Sequence, residues 1–470
     1  MEFHSGTFII FLAVSFTIYW YLGRKHQNIL LLAASYLFYS WWDWRFLFLI
    51  IFSSLVDFYA SNQMSTTLPE KRKKWLYASI LVNLGTLCTF KYFNFFVDSF
   101  THILNTVGFQ ANHSTLNIIL PVGISFYTFQ SMAYTIDVYR KKIPATNDLV
   151  AFLSYVAFFP QLVAGPIERA SSLLGQISSD RHFDLSLAKD GCRQILYGLV
   201  VKVVIADNIA PLVDQAYGNT SANGWQLIVG TVLFAFQIYC DFNGYSSIAI
   251  GVSKLFGIRL CRNFNYPYFS RNMVEFWNRW HISLSTWFRD YVYIPLGGSH
   301  STKYKTARNL LLTFGLSGLW HGAGVNYLIW GIYHGFLIIL IRNRVTGKRS
   351  NDLSLLDLPA VFGTFFLACI GWVFFRASSF SAALTIFHKM TTDIFSTEAL
   401  LKILNQRDLQ ICVTLISVML IVEYIQRHKE HAFQIEFAPL PVRWFTYACT
   451  FILIAALGKT VTIPFIYFQF

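Results

Sequence analysis

The sequence predicts an all-α, polytopic membrane protein, and three observations carry that reading. Hydrophobic residues make up 55% of the 470 positions and charged residues only 13%, about half the ~25% charged content of soluble domains. Mean hydropathy is +0.46. Apolar runs recur along the whole length, at 8–22, 75–90, 225–239, 360–375, 409–425 and 443–457. Runs approaching ~20 residues read as spanning helices, and the dyad alternation of a membrane β-barrel is missing.

The polar breaks between these runs are too short for a soluble domain. One multi-pass membrane domain is therefore expected over residues 1–470, with its motif-rich core at about 118–341. Roughly ten to twelve crossings fit the apolar runs, some of them broken or re-entrant around a central cavity.

Basic residues orient the chain. Arg24-Lys25-His26 follows the first apolar run instead of preceding it, the reverse of a secretory signal peptide. Arg and Lys favour the cytoplasmic side, so the N-terminus is expected outside the membrane. Passes at 28–42, 44–60, 75–97 and 118–139 then bring the clusters Lys71–Lys74 and Arg140–Lys142 to the cytoplasmic side as well. Further clusters stand at Lys303–Arg308 and Arg342–Arg349. The net charge of +13 reads as this bias plus attraction to anionic lipid head groups. No basic stripe lies on a soluble domain, which argues against nucleic acid as a partner.

Cysteines 88, 192, 240, 261, 369, 412 and 449 are scattered through or beside apolar segments without a C-x-x-C pair. They read as small packing residues, with neither a disulfide framework nor a metal site. HKEH at 428–431 lacks the i, i+4 pairing of a zinc-binding helix and reads as a solvated loop. No metal is expected, and no nucleotide-binding glycine motif occurs in a suitable context.

Two apolar runs are interrupted. FFPQLVAGPIERA (158–170) carries two prolines and a glycine, and SGLWHGAGVN (317–326) carries three glycines. Non-helical backbone at membrane depth must be buried in protein or line a wet cavity, so both segments are cavity candidates. In the second, eleven residues of helix from 310 to 320 advance about 16 Å, roughly half of a ~30 Å hydrocarbon core. His321 is thereby expected near the midplane, in a segment that either dips and returns or crosses with a break. A buried packing histidine is the bland alternative, but ionisable groups at that depth tend to mark pathways or catalytic sites. The flanking glycines admit close approach of backbone to a ligand.

EFWNRWHISLSTWFRDYVYIPLGG (275–298) reads as an amphipathic helix. Trp277, Trp280, Leu284, Trp287 and Tyr291 form one stripe, with Asn278, Ser285 and Arg289 opposite. A Trp-rich segment of this kind suits an interface or the wall of a cavity. His281 stands beside the stripe, as an incidental residue of the helix or as a second functional imidazole. Asp241, inside IYCDFNGYSS (238–247), lies in an apolar stretch and needs a partner. Structural pairing with an arginine or a hydroxyl is the simpler role, and orienting a catalytic imidazole the sharper one.

These segments, together with FKYFNFF, LPVGISFYTFQ, DVYRKKIPA, IADNIA, NFNYPYFS and the terminal PFIYFQF, resemble the membrane-bound O-acyltransferase (MBOAT) family, most closely its bacterial alginate O-acetyltransferase branch. The likeness runs from about residue 28 to the end. NRWHISLSTWFRDYV is shared with the D-alanyl transfer members of the family, whereas IPLGG, AGPI and PFIYFQF favour the alginate branch. One departure is DFNGYSS, where that branch more often has Ser in place of Asn243 and Asp in place of Ser247.

The resemblance implies the MBOAT fold in a bacterial cytoplasmic (inner) membrane, with no bound cofactor. It implies transfer of an acetyl group from cytoplasmic acetyl-CoA through the cavity to an extracytoplasmic hydroxyl. The implied acceptor is an exported SGNH-like acetyltransferase partner that serves O-acetylation of a cell-surface polysaccharide such as alginate. His321 maps to the family's catalytic histidine and His281 to the second motif histidine. Asp241, Trp320, Gly322, Trp277, Arg279, Asn278 and Asn326 become supporting or cavity-lining residues. Lys303, Lys305 and Arg308 become candidates for holding CoA phosphates, although membrane orientation explains them equally well.

An ordinary imidazole, with a pKa near ~6.5, can take a proton at neutral pH. His321 is thus expected to act as general base toward the acceptor hydroxyl, with the Gly322 and Gly324 amides available to an oxyanion. Two alternatives stand beside this reading: acyl or D-alanyl transfer from a carrier-protein thioester, and a non-enzymatic transporter with broken helices along its path.

Overall fold

A computed structural model describes residues 1–109, 119–300, 302–342, 352–459 and 463–468. Of the basic cluster at 342–349, all but Arg342 lies outside the described residues. The described chain is helical, as expected of a polytopic membrane protein. Eight helical stretches among the described residues are long and apolar enough to cross a membrane, from Arg24–Thr66 to Leu440–Leu457. Two shorter apolar helices, Gly6–Trp20 and Leu149–Leu162, stand beside them. The chain divides into two compact units: Met1–Ala188 with Ser253–Cys261, and Lys189–Val252 with Arg262–Phe470.

The first unit packs the helices Gly6–Trp20, Arg24–Asp43, Leu47–Thr66, Pro69–Leu87 and Ile124–Tyr139 around shorter ones. Its polar residues are spent on one another. The fully buried Asp57 carboxylate accepts from the Ser79 hydroxyl at 2.5 Å and from the Asn83 amide at 2.9 Å, because a lone carboxylate in apolar surroundings costs several kcal/mol. The interrupted segment 158–170 belongs to this unit's interior. Phe158, Phe159, Pro160, Gln161 and Leu162 are buried. The Gln161 amide donates to Gln130 Oε1 at 2.7 Å, and the Glu168 carboxylate accepts from the backbone N–H of Cys261 at 2.5 Å. Its backbone also bonds to protein, the Phe159 N–H to Ser35 Oγ at 3.0 Å and the Gly165 N–H to the Gln161 carbonyl at 2.9 Å, the first of the two options open to an irregular segment.

The second unit is organised by two close helix pairs. Leu185–Leu199 lies against Gly224–Leu255, where Gly198 and Gly244 face one another. A Cβ at Gly198 would come within 2.6 Å of the Gly244 carbonyl. The other pair is the hairpin of Lys303–His321 and Val325–Arg342. A Cβ at Gly318 would lie 2.1 Å from the Tyr327 carbonyl, and one at Gly331 would lie 2.1 Å from that of Phe314. Contacts that pair 318 with 327 and 314 with 331 make the two helices antiparallel. Of the two paths open to this segment, the structure takes the one that turns back on itself. Small residues let helix backbones meet in this way.

Three expectations from the sequence differ from the structure. Residues 275–298 do not form one helix but break at Trp280–His281 into Met273–Arg279 and Ile282–Phe288, followed by a π-helical turn Arg289–Tyr293. The break occurs because the Ile282 N–H donates to the Asn263 carbonyl at 2.9 Å and the Ser283 hydroxyl to Asn263 Oδ1 at 2.6 Å, replacing the helical ladder. The stripe keeps its sense: Trp277, Trp280, Leu284 and Trp287 are buried, while Asn278 and Arg289 are exposed. HKEH is not uniformly solvated, since His431 is buried with its Nε2 3.0 Å from Asp190 Oδ1. The cysteines also divide, with Cys240, Cys369 and Cys412 buried but Cys88, Cys192 and Cys261 exposed.

The hairpin contact predicts a sharp response to one methyl group. Gly331→Ala is expected to lower stability by about 1–3 kcal/mol, the cost of overpacking a tight contact, read as a lower thermal midpoint of the purified protein in detergent. Gly363→Ala, inside the helix Leu358–Arg376 and with nothing within 4 Å of the added carbon, is expected to leave that midpoint unchanged or raise it slightly, since alanine favours a helix interior.

Candidate active site

His321 is the last residue of Lys303–His321, and Gly322 leaves the helix with extended backbone at φ −158°. His321 is 3% exposed. Its ring is enclosed by Trp320 at 5.0 Å, Trp330 at 5.1 Å, Phe375 at 5.4 Å and Tyr467 at 5.6 Å between centroids. The His281 ring lies 6.3 Å away. The helix end, the break in the Trp-rich segment and the C-terminal residues thus converge on two imidazoles.

His281 occupies the left-handed region at φ +41°, uncommon for a residue with a Cβ. That conformation turns the chain from one short helix into the next. It sets the ring 4.7 Å from Phe242 and 6.1 Å from Trp320. His281 is 1% exposed.

A cavity of about 400 Å³ lies beside this pair. Leu310, Thr313, Phe314 and Ser317 line it from the His321 helix, and Trp277, Asn278, Ile282, Ser285 and Arg289 from the broken segment. Ser317 is one helical turn before His321, and Ile282 follows His281 directly. The lining is mostly apolar, with the hydroxyls of Ser285, Thr286, Thr313 and Ser317, the Asn278 amide and the Arg289 guanidinium among it.

The other sequence-selected residues fall into distinct places. Trp277 and Asn278 line the cavity, and Trp320 flanks both imidazoles. Gly322 packs against the Tyr327 ring, which would have to move aside for a Cβ there. The Asn326 amide donates to the Ala377 carbonyl at 3.0 Å and so ties the loop after His321 to the next helix. Arg279 is turned to Glu275, with a 2.6 Å ion pair, and Arg271 holds the same carboxylate at 2.9 Å. Burial works against ionisation of Glu275, but the hydrogen bonds from Arg271 and the charge of Arg279 outweigh it and hold the carboxyl below its usual range. Lys303, Lys305 and Arg308 are exposed at the opposite end of the helix, where eighteen residues of rise separate Lys303 from His321 by about 27 Å. The Gly322 and Gly324 amides are engaged by the Gly318 and Gly322 carbonyls, at 3.4 and 3.1 Å. They are not free for an oxyanion in this conformation.

Asp241 takes the pairing role, with lysine in place of the expected arginine. Its Oδ1 lies 2.7 Å from Lys202 Nζ, which also meets Asp207 Oδ1 at 2.7 Å. Sequence reasoning passed over Lys202, although a charge inside VVKVVIAD (200–207) is the same signal that singled out Asp241. It also passed over His334, 1% exposed between Trp277 at 5.2 Å and Trp330 at 5.1 Å. Asn243 and Ser247, the two departures from the alginate branch, both line a small polar pocket with Tyr197, Tyr239 and His431.

The membrane-bound O-acyltransferase family profile matches residues 140–346, a span that holds both histidines. The chain is 42% identical over 396 residues to the probable alginate O-acetylase AlgI of Pseudomonas aeruginosa, covering 83% of this chain and 75% of that protein. The chain belongs to the membrane-bound O-acyltransferase family. It is accordingly an O-acyltransferase. It is also 35% identical over 422 residues to the peptidoglycan O-acetyltransferase of Helicobacter pylori, covering 83% of this chain and 79% of that protein. Similarity to the teichoic acid D-alanyltransferase of Bacillus subtilis is 30% over 291 residues, 58% of this chain and 72% of that protein.

The backbone at position 281 provides a test separate from chemistry. His281→Gly is expected to keep the fold of this MBOAT protein, since glycine adopts positive φ freely. His281→Val is expected to lose about 1–2 kcal/mol relative to it, the left-handed cost for a branched residue, measured by thermal unfolding of both variants in detergent.

Proposed function

We propose that this enzyme passes an acetyl group from acetyl-CoA, supplied on the cytoplasmic side of a bacterial inner membrane, to a hydroxyl acceptor on the other side. The final product is an O-acetylated cell-surface glycan. The observation that carries the reading is the His321–His281 pair, buried among aromatic rings one turn from a cavity of about 400 Å³. The similarity to alginate and peptidoglycan O-acetyltransferases supports a polysaccharide or peptidoglycan as the ultimate substrate. A partner acetyltransferase with an exposed serine would carry the group onward.

In this mechanism the acyl thioester lies along the cavity with its carbonyl beside His321. The imidazole accepts the proton of the acceptor hydroxyl as that oxygen attacks the thioester carbonyl. The C–S bond then breaks, and the thiolate leaves as the ester forms. An imidazole in this enclosure acts on a substrate shielded from water, so hydrolysis of the thioester is disfavoured. Lys303, Lys305 and Arg308 supply positive charge toward the far end of the same helix, about 20–27 Å of helical rise from His321, a span suited to an extended donor with a phosphorylated head.

Two measurements test this. His321→Ala is expected to reduce acetyl transfer from acetyl-CoA by about 10²–10⁴-fold, the range for loss of a general base, with the protein still folded; undiminished turnover removes the assigned base. Ser317→Phe, which fills the cavity beside His321, is expected to raise KM for acetyl-CoA. Transfer from an acylated carrier protein but not from acetyl-CoA would move the enzyme to the D-alanyl type of donor.

A further inference from the structure

A small polar pocket lies between the helices Leu185–Leu199 and Gly224–Leu255 and the chain at 262–266 and 430–431, and it shares no residue with the cavity of about 400 Å³. Its volume is about 20 Å³, room for a single guest the size of a water molecule. Three polar atoms of residues that line it are buried without a hydrogen-bond partner: Gln194 Oε1, the Tyr266 hydroxyl and His431 Nδ1. These residues are 4%, 5% and 3% exposed. Buried polar groups are ordinarily satisfied by protein or by an enclosed guest, and here protein does not satisfy them.

The wall is rich in acceptors. Tyr197 and Tyr239 both donate to Glu423 Oε1, at 2.8 and 2.7 Å, so their phenol oxygens have only lone pairs left to offer. The Asn243 amide donates to the Tyr197 oxygen at 3.2 Å, and its Oδ1 meets only the Ser247 hydroxyl, at 3.5 Å. His431 turns Nε2 to Asp190 Oδ1 at 3.0 Å, which leaves the neutral ring an acceptor at Nδ1. Behind the phenols Glu423 is 1% exposed, and among the described residues no lysine, arginine or histidine pairs with it. Buried charges are ordinarily paired or bound to metal ions. Arg262 and Glu430 stand exposed at the rim and offset one another, so one carboxylate is left to balance.

We infer that this pocket takes up one monovalent metal cation, K⁺ or Na⁺, with the Glu423 carboxylate behind it as counter-charge. Water brings two protons to a wall that offers five acceptors, namely the Tyr197 and Tyr239 oxygens, Asn243 Oδ1, Gln194 Oε1 and His431 Nδ1. An alkali ion draws on oxygen lone pairs from every side and also offsets the buried charge. Such ions take oxygen ligands, so the spacing rules that argue against a zinc site do not bear on them.

The ion bears on the paired histidines through Asn263, which lines the pocket. Asn263 Nδ2 donates to Ser246 Oγ, also in the wall, at 3.2 Å. Its Oδ1 and carbonyl hold Ser283 and Ile282, directly after His281. Filling the pocket therefore stiffens the support from which the His281 turn hangs, and acyl transfer is expected to rise with the bound ion. This consequence rests on the acyl-transfer reading of the histidines; the ion site does not.

The test unfolds the purified full chain thermally in detergent, in KCl, NaCl or N-methylglucamine chloride at equal ionic strength. The midpoint is expected to be higher in KCl or NaCl and to saturate with ion concentration, because a ligand of the folded state stabilises it by mass action. The better of the two salts identifies the ion. Gln194→Met, which removes an oxygen at similar volume, is expected to raise the half-saturating concentration about ten-fold or more, the worth of one contact to a charged group. Glu423→Gln is expected to abolish the ion-dependent part. Equal wild-type midpoints in the three salts leave the pocket to water and overturn the inference. Should Glu423→Gln fail to fold, Gln194→Met decides alone, and an unchanged half-saturating concentration overturns the site. Acetyl transfer from acetyl-CoA is measured in the same salts: equal rates overturn the coupling through Asn263, and no turnover in any salt removes the acyl-CoA reading while the ion site stands on the midpoints.

Discussion

The backbone contact between Lys303–His321 and Val325–Arg342 is the constraint on which the site depends. Phe314 and Tyr327 carbonyls occupy the space that side chains at 331 and 318 would take. Only glycine permits that approach, and only that approach lets the chain reverse directly after His321. The imidazole is thereby placed at a helix end, inside protein, without the polar loop that a reversal ordinarily demands. Peptide groups at the turn bond to one another, and Asn326 ties the turn to the Ala377 carbonyl. A wider hairpin would open the aromatic enclosure around the ring to water or lipid.

A second theme is how this chain handles charge in apolar surroundings. Asp57 receives two side-chain donors, Asp241 and Asp207 share Lys202, and the Glu423 carboxylate accepts from the Tyr197 and Tyr239 hydroxyls at 2.8 and 2.7 Å. The penalty for an unpaired buried charge is several kcal/mol, and removal of one partner from such a pair typically costs about 3–5 kcal/mol. Pairing on this scale therefore fixes geometry more than it adds stability. Around the histidines the solution differs, since the walls are aromatic. Indole and phenol rings give a dry, stiff boundary, while hydroxyl and amide groups are concentrated on the cavity side.

Much of the molecule could be read in advance. Hydropathy alone separates this chain from soluble proteins, because a ~30 Å apolar slab demands long apolar helices whatever the topology. The charge-in-an-apolar-run rule picked out Asp241, and the glycine-flanked histidine picked out His321. Trp277, Asn278 and Trp320 were drawn from the same motifs and lie on the cavity or against the imidazoles. Lys202, a charge within VVKVVIAD, carries the same signal as the aspartate it pairs with. Arg279 illustrates the opposite error, since nearness in sequence to His281 says nothing of its direction, and it faces Glu275.

By itself the sequence determined the class of molecule, the helices that carry it and the polar residues set at depth among apolar ones, because these follow from local composition and spacing. Tertiary structure alone decided which of those residues meet. His281 reaches His321 only because Asn263 captures the backbone at 282 and breaks a helix that its hydrophobic pattern favours. Tyr467 reaches the same ring from nearly 150 positions away, through backbone bonds to Asp241 and Lys202. Periodicity describes one helix face at a time, and these contacts arise where separate segments compete for the same donors and acceptors, a contest settled only when the chain is folded.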